Sequence, residues 1–346
     1  MRTAQHPLDK YAMQTITVGG LPVNFQRTVR VPEGKLNSLP AGLGSFPIYR
    51  VSDFRQGCPE TWRAEGYFMP MYPQEAMWLN FSGSYQNPRA AIIAAGNINA
   101  ITGKPFDGGY LQAEKHESGT LDIKLETPQN YVVVPPQPWI DGWKAEDGKV
   151  YQFVAAEMGS GQTIEGQITG EEKVGGIQII TFAPIPGKKL PRIERPYEHI
   201  VAGEWPGSGC FGSFADSSML KGMGGVEMFC CAADSEPTMK SMRGVGSIRS
   251  MGLGRGAEIN QKIYPDPYGL EIWQATPAGV DVLYLVSSED FLQITGHAAP
   301  PTPVTIEKYE EQKLPWFALG DKHFMDQAGS DIFAKLKPVT TGKKAE

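Results

Sequence analysis

The sequence predicts a mainly β protein, with antiparallel sheet meanders in a sandwich or barrel-like arrangement and short helices toward the C-terminus. Three observations predict it. Glycine and proline number 40 and 28 among 346 residues, roughly a fifth of the chain against an average of about 12%, and both punctuate strands and break helices. Between residues 131 and 187, four apolar or alternating runs (131–134, 150–155, 162–168 and 177–182) are separated by Pro or Gly, the pattern of short strands joined by turns. The runs between residues 89 and 125 are also of strand length, and none is long enough for a substantial helix.

Residues 1–12 read as a frayed leader. Residues 14–18 and 23–31 form a hairpin about Gly19-Gly20, a two-residue connector able to take positive φ. Arg27 interrupts the apolar face of the second strand and reads as an edge-strand guard, with a ligand contact as the alternative. Residues 32–75 are Pro- and Gly-rich with few regular periods, and 38–51 look like an ordered loop over the surface of a sheet. The aromatic and sulfur-rich stretch 67–81 suits a core, a subunit contact or an apolar pocket.

Residues 89–96 give a buried strand, which 97–103 continue toward a turn, and 121–125 give another strand. In 162–168, Ile164, Gly166 and Ile168 alternate with polar residues, as in a strand with one face buried. The basic, proline-rich segment 184–196 is the best boundary candidate and divides the chain into β-rich regions 1–190 and 191–346, which can also form one integrated domain. Residues 226–232 read as a buried strand carrying Cys230 and Cys231, and 280–286 as an apolar strand. Ser287 and Asp290 have the spacing of a capping box, so a short helix begins there. Further short helices are expected over 306–313 and 330–337, followed by a disordered tail.

The net charge of −6 and pI near 5.5 argue against nucleic-acid binding as the main role, because neutralising phosphates needs a local Lys/Arg excess. No 18-residue apolar run or export signal is visible, so no membrane association is expected. Cys58, Cys210, Cys230 and Cys231 lack C-x-x-C spacing and read as free thiols in a reducing cytoplasm. The histidines at 6, 116, 199, 297 and 323 are scattered, so neither metal nor cofactor is implied.

Three segments carry the functional readings. Residues 207–212 match G-x-G-x-x-G but lack the strand, loop and helix context that dinucleotide binding needs. The glycine-rich loop expected over 243–256 carries Arg243, Arg249 and Arg255. Backbone N–H groups beside guanidinium groups can cradle an anion, and the rigid turn that follows would hold Asp266 and Tyr268 beside it. Trp139, Asp141 and Trp143 offer an acid between two rings able to stack on a sugar, with Glu157 or Glu165 as a second carboxylate. No nucleophile elbow occurs, so the reading leans away from an enzyme.

The phrases PQPWIDG (136–142), FVAAEMGSG (153–161), YPDPYG (264–269) and LPWF (314–317) resemble those of a family of bacterial soluble proteins without an assigned activity. The resemblance spans most of the chain from about residue 45 and implies one integrated protein. The leading expectation is a non-enzymatic cytoplasmic β-protein that forms a homo-oligomer or binds a protein partner. The alternative is a binding protein or enzyme for a small anionic or carbohydrate ligand, held by Arg243, Arg249, Arg255, Asp266 and Tyr268, or by Trp139, Asp141 and Trp143.

Overall fold

Gly19 and Gly20 take φ values of 51° and 85° and reverse the chain between β1 (Thr15–Val18) and β2 (Leu21–Thr28), as their freedom from Cβ clash allows. This computed structural model describes residues 6–106, 110–112, 129–145, 149–193, 248, 250–300, 311, 316–317, 326–327 and 329–340. The next strands are β3 (Leu39–Pro40), β4 (Tyr49–Arg50), β5 (Tyr67–Pro70), β6 (Ala76–Phe81), β7 (Arg89–Ala95) and β8 (Ile98–Asn99). They are followed by β9 (Val132–Val134), β10 (Trp139–Ile140), β11 (Gly142–Lys144), β12 (Lys149–Glu157), β13 (Ile177–Phe182), β14 (Ser250–Asn260), β15 (Gly279–Val286) and β16 (Trp316–Phe317). Two helices are α1 (Ile164–Thr169) and α2 (Ser288–Thr295), and one helical turn spans Ile332–Lys335.

The protein is mainly β, with a 14-stranded, largely antiparallel sheet that does not close into a barrel. Its main path runs β1-β2-β6-β12-β14-β15-β13-β7-β8. Strands from either side of residue 190 therefore interleave, with β14 and β15 lying between β12 and β13. One pair departs from the antiparallel rule: β5 lies parallel to β15, with Tyr67 opposite Leu283 and Met69 opposite Leu285.

One face of this sheet curls around the main core. Ile16, Phe25, Leu79, Ile93, Phe153, Ile179, Leu253 and Leu283 all meet in it, so burial of strand faces from both halves of the chain drives the curl. The first hairpin touches β13 and the start of β15. Thr181 Oγ1 donates to the Val18 carbonyl at 3.0 Å, and a Cβ on Gly279 would fall 2.3 Å from Gly19 N. An aromatic cluster including Tyr49, Trp62, Phe68, Tyr284 and Phe291 forms a second core.

Several expectations need correction. Residues 162–168 are not a strand: Thr163 caps α1 by accepting from Gly166 N at 3.0 Å, and Gly170 ends the helix at φ 79°. The strand at 89–95 does not continue; Gly96 and Asn97 take φ of 54° and 60°, and β8 folds back antiparallel on β7. Arg27 is not on an open edge: it pairs with Met77 of β6, its N–H donates to the Gly44 carbonyl at 2.9 Å and its carbonyl accepts from Leu43 N at 2.7 Å. Its Nε meets Glu75 Oε1 at 2.5 Å, and the Glu75 side chain is fully buried. Burial pushes the Glu75 carboxyl above its ordinary range, against the pull of the Arg27 charge.

Residues 6–12 are not frayed. Leu8 is buried in the aromatic cluster, and His6 Nε2 hydrogen-bonds the Ala298 carbonyl at 2.9 Å. Residues 250–256 are strand rather than loop. Gly252 and Gly254 are required where the segment leading into α1 and Val339 cross β14: a Cβ on Gly254 would lie 2.2 Å from Val339 Cγ2 and 2.6 Å from Gln162 O, and one on Gly252 2.8 Å from Thr163 Cγ2, whereas one on Gly256 would meet Val154 and Gln152 of β12.

The expected capping box is present, with Ser287 Oγ accepting from Asp290 N at 3.1 Å at the start of α2. The strand expected at 121–125, the G-x-G-x-x-G segment, the strand at 226–232, the helix at 306–313 apart from residue 311 and the tail beyond residue 340 lie outside the described residues.

Candidate functional site

The described residues of the two anticipated sites make structural contacts. Arg243 and Arg249 lie outside the described residues. Arg255 projects from β14 over the Tyr151 ring, 3.9 Å from its centroid, and donates through Nη1 to the Leu336 carbonyl at 3.1 Å. Asp266 is a hub. Its Oδ2 accepts from the Tyr131 hydroxyl and the Trp273 indole, both at 2.7 Å, and its Oδ1 accepts from Tyr268 N at 2.8 Å. Its own N–H donates to Gln129 Oε1 at 2.8 Å. Asp266 thus pins the Pro-Asp-Pro turn to the start of β9.

Burial, reinforced by the Asp266 charge, raises the Tyr131 hydroxyl pKa far above its usual value. Tyr268 is pushed up to about 12, chiefly by burial. Beside this hub is a concavity of about 230 Å³ lined by Tyr110, Leu111, Phe182, Leu270, Trp273 and Gln274. It offers aromatic and aliphatic walls but no charged side chain.

Trp139, Asp141 and Trp143 face inward. Trp143 packs against Phe153 and Phe333 with centroids 5.0 and 5.4 Å away, and its indole donates to the Gly254 carbonyl at 3.2 Å. Trp139 packs against Trp78, so both ring systems serve the core. Asp141 is 1% exposed. Its backbone is fixed, its N–H donating to Gln261 Oε1 at 3.0 Å and its carbonyl accepting from Phe153 N at 2.9 Å.

Neither Asp141 carboxylate oxygen has a hydrogen-bond partner among the described residues. Burial drives this carboxyl well above its ordinary pKa, and the nearby Trp139 indole offsets only part of the effect. Glu165 is equally inward but satisfied: its oxygens accept from the backbone N–H groups of Lys173, Val174 and Gly175 at 2.8–2.9 Å.

The arrangement with the most open chemistry lies at the rim of the β4, β5 and β15 region. Arg50 stands directly opposite Tyr67 across the β4–β5 pair, and Tyr67 opposite Leu283 across β5–β15. Side chains alternate along a strand, so Arg50, Tyr67 and Leu283 sit side by side on one face, with Asp281 one pleat farther along β15. Leu283, Leu285 and Met69 on that face are buried in the main core. The core face therefore runs outward into a polar depression of about 370 Å³ lined by Arg50, Ser52, Ala64, Glu65, Tyr67 and Asp281.

The rim is held by local bonds. Val51 N donates to the Gly66 carbonyl at 3.0 Å, Gly66 N to the Arg63 carbonyl at 3.0 Å, and Arg63 N to the Tyr284 hydroxyl at 3.0 Å. Below it, Tyr49 stacks on Phe68 at 5.5 Å, and Trp62 lies parallel to Tyr284 at 4.2 Å. The Arg50 guanidinium lies 5.7 Å from the Tyr67 ring centroid, an arrangement that favours the cation electrostatically.

Partial burial raises the Asp281 carboxyl, and the positive charges of Arg63 and Arg50 pull it back. Arg50 and Asp281 feel each other across the depression without closing into an ion pair of 4 Å or less. Sequence reasoning missed this site because residues 50, 65 and 281 carry no local motif. The available signal was Asp281 heading the alternating series Asp281, Leu283, Leu285, a charge on an otherwise buried face.

Among the described residues, no group of three His, Cys, Asp or Glu side chains gathers to hold a metal, and no helix is long and apolar enough to cross a membrane. No family model, curated protein or solved structure matches the chain. The resemblance to a bacterial family therefore stands on its four sequence phrases alone.

Proposed function

We propose that this protein binds a small polar organic molecule in the depression formed by Arg50, Ser52, Glu65, Tyr67 and Asp281. One observation carries the reading: opposite charges face each other across a concave space on a braced floor and do not pair. A guanidinium and a carboxylate that close on each other satisfy each other; held apart, they leave donors and acceptors free for a third molecule. The volume of about 370 Å³ is near the lower end of ordinary ligand pockets, roughly 300–1,000 Å³, so the ligand is small.

This follows the small-ligand alternative rather than self-assembly, and it moves the site away from the arginine-rich segment. It describes a binding protein, because the depression presents recognition groups without a paired nucleophile and base. A cytoplasmic setting belongs to the same reading, supported by thiol usage in the sequence and by the free, buried Cys58.

The test is a thermal-shift panel of amino acids, dicarboxylates, hexoses and polyamines at millimolar concentration, applied to the wild type and to the Arg50→Gln/Asp281→Asn double variant. A bound ligand stabilises by mass action. At least one class is expected to raise the wild-type Tm by about 2 °C or more and to leave the variant unmoved. Equal shifts in both proteins, or no shift with any class, would overturn the reading.

A further inference from the structure

Resting on that reading, we infer that the ligand is dipolar: a small molecule with a carboxylate or similar anionic group at one end and an ammonium group at the other, as in a free amino acid. The lining carries both signs of charge, with Arg50 on β4, Asp281 on β15 and Glu65 on the connection between β4 and β5.

Within the lining a purely anionic ligand would meet one guanidinium, Arg50, and two carboxylates, Glu65 and Asp281, with Arg63 acting on Asp281 from outside it, and like charges repel. A purely cationic ligand would pair with the carboxylates and leave the Arg50 guanidinium without a counter-charge. A neutral polyol would use the hydrogen-bonding groups and gain nothing from the separated charges. A dipolar ligand satisfies both ends. Arg50 offers a planar fork of donors suited to a carboxylate, and Asp281 and Glu65 offer only acceptors when ionised, suited to an ammonium.

Geometry supports the same orientation. Arg50 and Tyr67 are cross-strand partners, and Asp281 lies one pleat beyond Leu283, the residue opposite Tyr67. The Tyr67 ring therefore lies between the cationic and anionic ends of the depression. An apolar stem joining the ligand's two charged groups would rest on that ring, while Ser52 adds a hydroxyl at the rim. The aromatic layer beneath, with Trp62 parallel to Tyr284, limits adjustment of the floor, so selectivity falls on charge placement rather than on reshaping.

The experiment is saturation-transfer NMR with the intact protein and a pool of free L-amino acids. Each binder is followed by its analogue lacking the amino group and its analogue lacking the carboxylate. The expected result is transfer to one or more amino acids, at least ten-fold weaker binding of both analogues, and loss of the signal in the Arg50→Gln and Asp281→Asn single variants. Equal binding of the carboxylate-only analogue, still lost in Arg50→Gln, would overturn the dipolar ligand and keep the site. Equal binding of the amine-only analogue, still lost in Asp281→Asn, would do the same. No transfer to any amino acid overturns the dipolar ligand, and the thermal-shift panel then decides separately whether the depression binds another class. Amino-acid transfer that survives both substitutions overturns the site itself.

Discussion

Asp141 and Asp281 are both aspartates on sheet strands or between them, and burial raises both carboxyl groups above their ordinary range, yet their surroundings give them opposite roles. Asp141 is sealed, 1% exposed and with neither carboxylate oxygen partnered among the described residues. Asp281 is half-open, faces Arg50 and Arg63, and lines a depression. A displaced pKa alone therefore does not mark a binding group. A sealed carboxyl acts on the stability of the fold, whereas one with access and an unpaired opposite charge can act on a ligand.

The largest expected effect establishes what a sealed charge costs when it loses its partner. Arg27→Gln leaves the Glu75 carboxylate, whose side chain is fully buried, without its cation. Removing one partner of a buried pair typically destabilises by about 3–5 kcal/mol. Denaturant unfolding of the variant is expected to show a loss of this size; a loss of about 0.5 kcal/mol, as at an ordinary surface site, would mean that Glu75 is solvated.

A smaller effect is expected at Asp141, and its sign depends on pH. The folded state favours the neutral carboxyl, whereas the unfolded chain releases its proton near the ordinary value of about 3.9. The stability from this group is complete below that value and is lost as pH rises through the raised folded value. Asp141→Asn removes the dependence. The variant is expected to match the wild type near pH 4 and to exceed it by about 1–3 kcal/mol at pH 8, the scale of an unsatisfied buried polar group. A pH-independent difference would break the comparison.

Asp281→Asn should leave stability within about 0.5 kcal/mol of the wild type while removing ligand-dependent stabilisation. The smallest effect sharpens the meaning of burial. Cys58 is buried, and its thiol is pushed up to about 11, so the reactive thiolate is scarce at pH 8. Iodoacetamide mapping should find Cys58 unlabelled in the native protein and labelled after denaturation; rapid native labelling would show that the aromatic cluster opens.

How much was legible in the sequence follows the same division between local and distant causes. The Gly19-Gly20 hairpin, the capping of α2 at Ser287 and the strands around residues 89–95 and 177–182 were readable, because turn chemistry and alternation are written in adjacent residues. Helix α1 was misread because Ile164 and Ile168 satisfy a period of two and a spacing of four alike; the N-cap at Thr163 and the left-handed Gly170 decide between them. The β14 glycines looked like a loop because a stripe of Gly at every second position also suits a strand crossed closely by another segment, and nothing nearby says that Gln162 and Val339 do the crossing. The depression depended on the parallel β5–β15 pairing, which joins residues more than 200 positions apart without any local marker.

The most direct test of the central claim is native mass spectrometry of gently purified wild-type protein, Arg50→Gln/Asp281→Asn and Asp141→Asn. A reproducible small adduct is expected on the wild type, absent from the Arg50/Asp281 variant and retained on Asp141→Asn. An adduct that persists without Arg50 and Asp281, or a clean oligomer with no adduct on any of the three proteins, would contradict that claim.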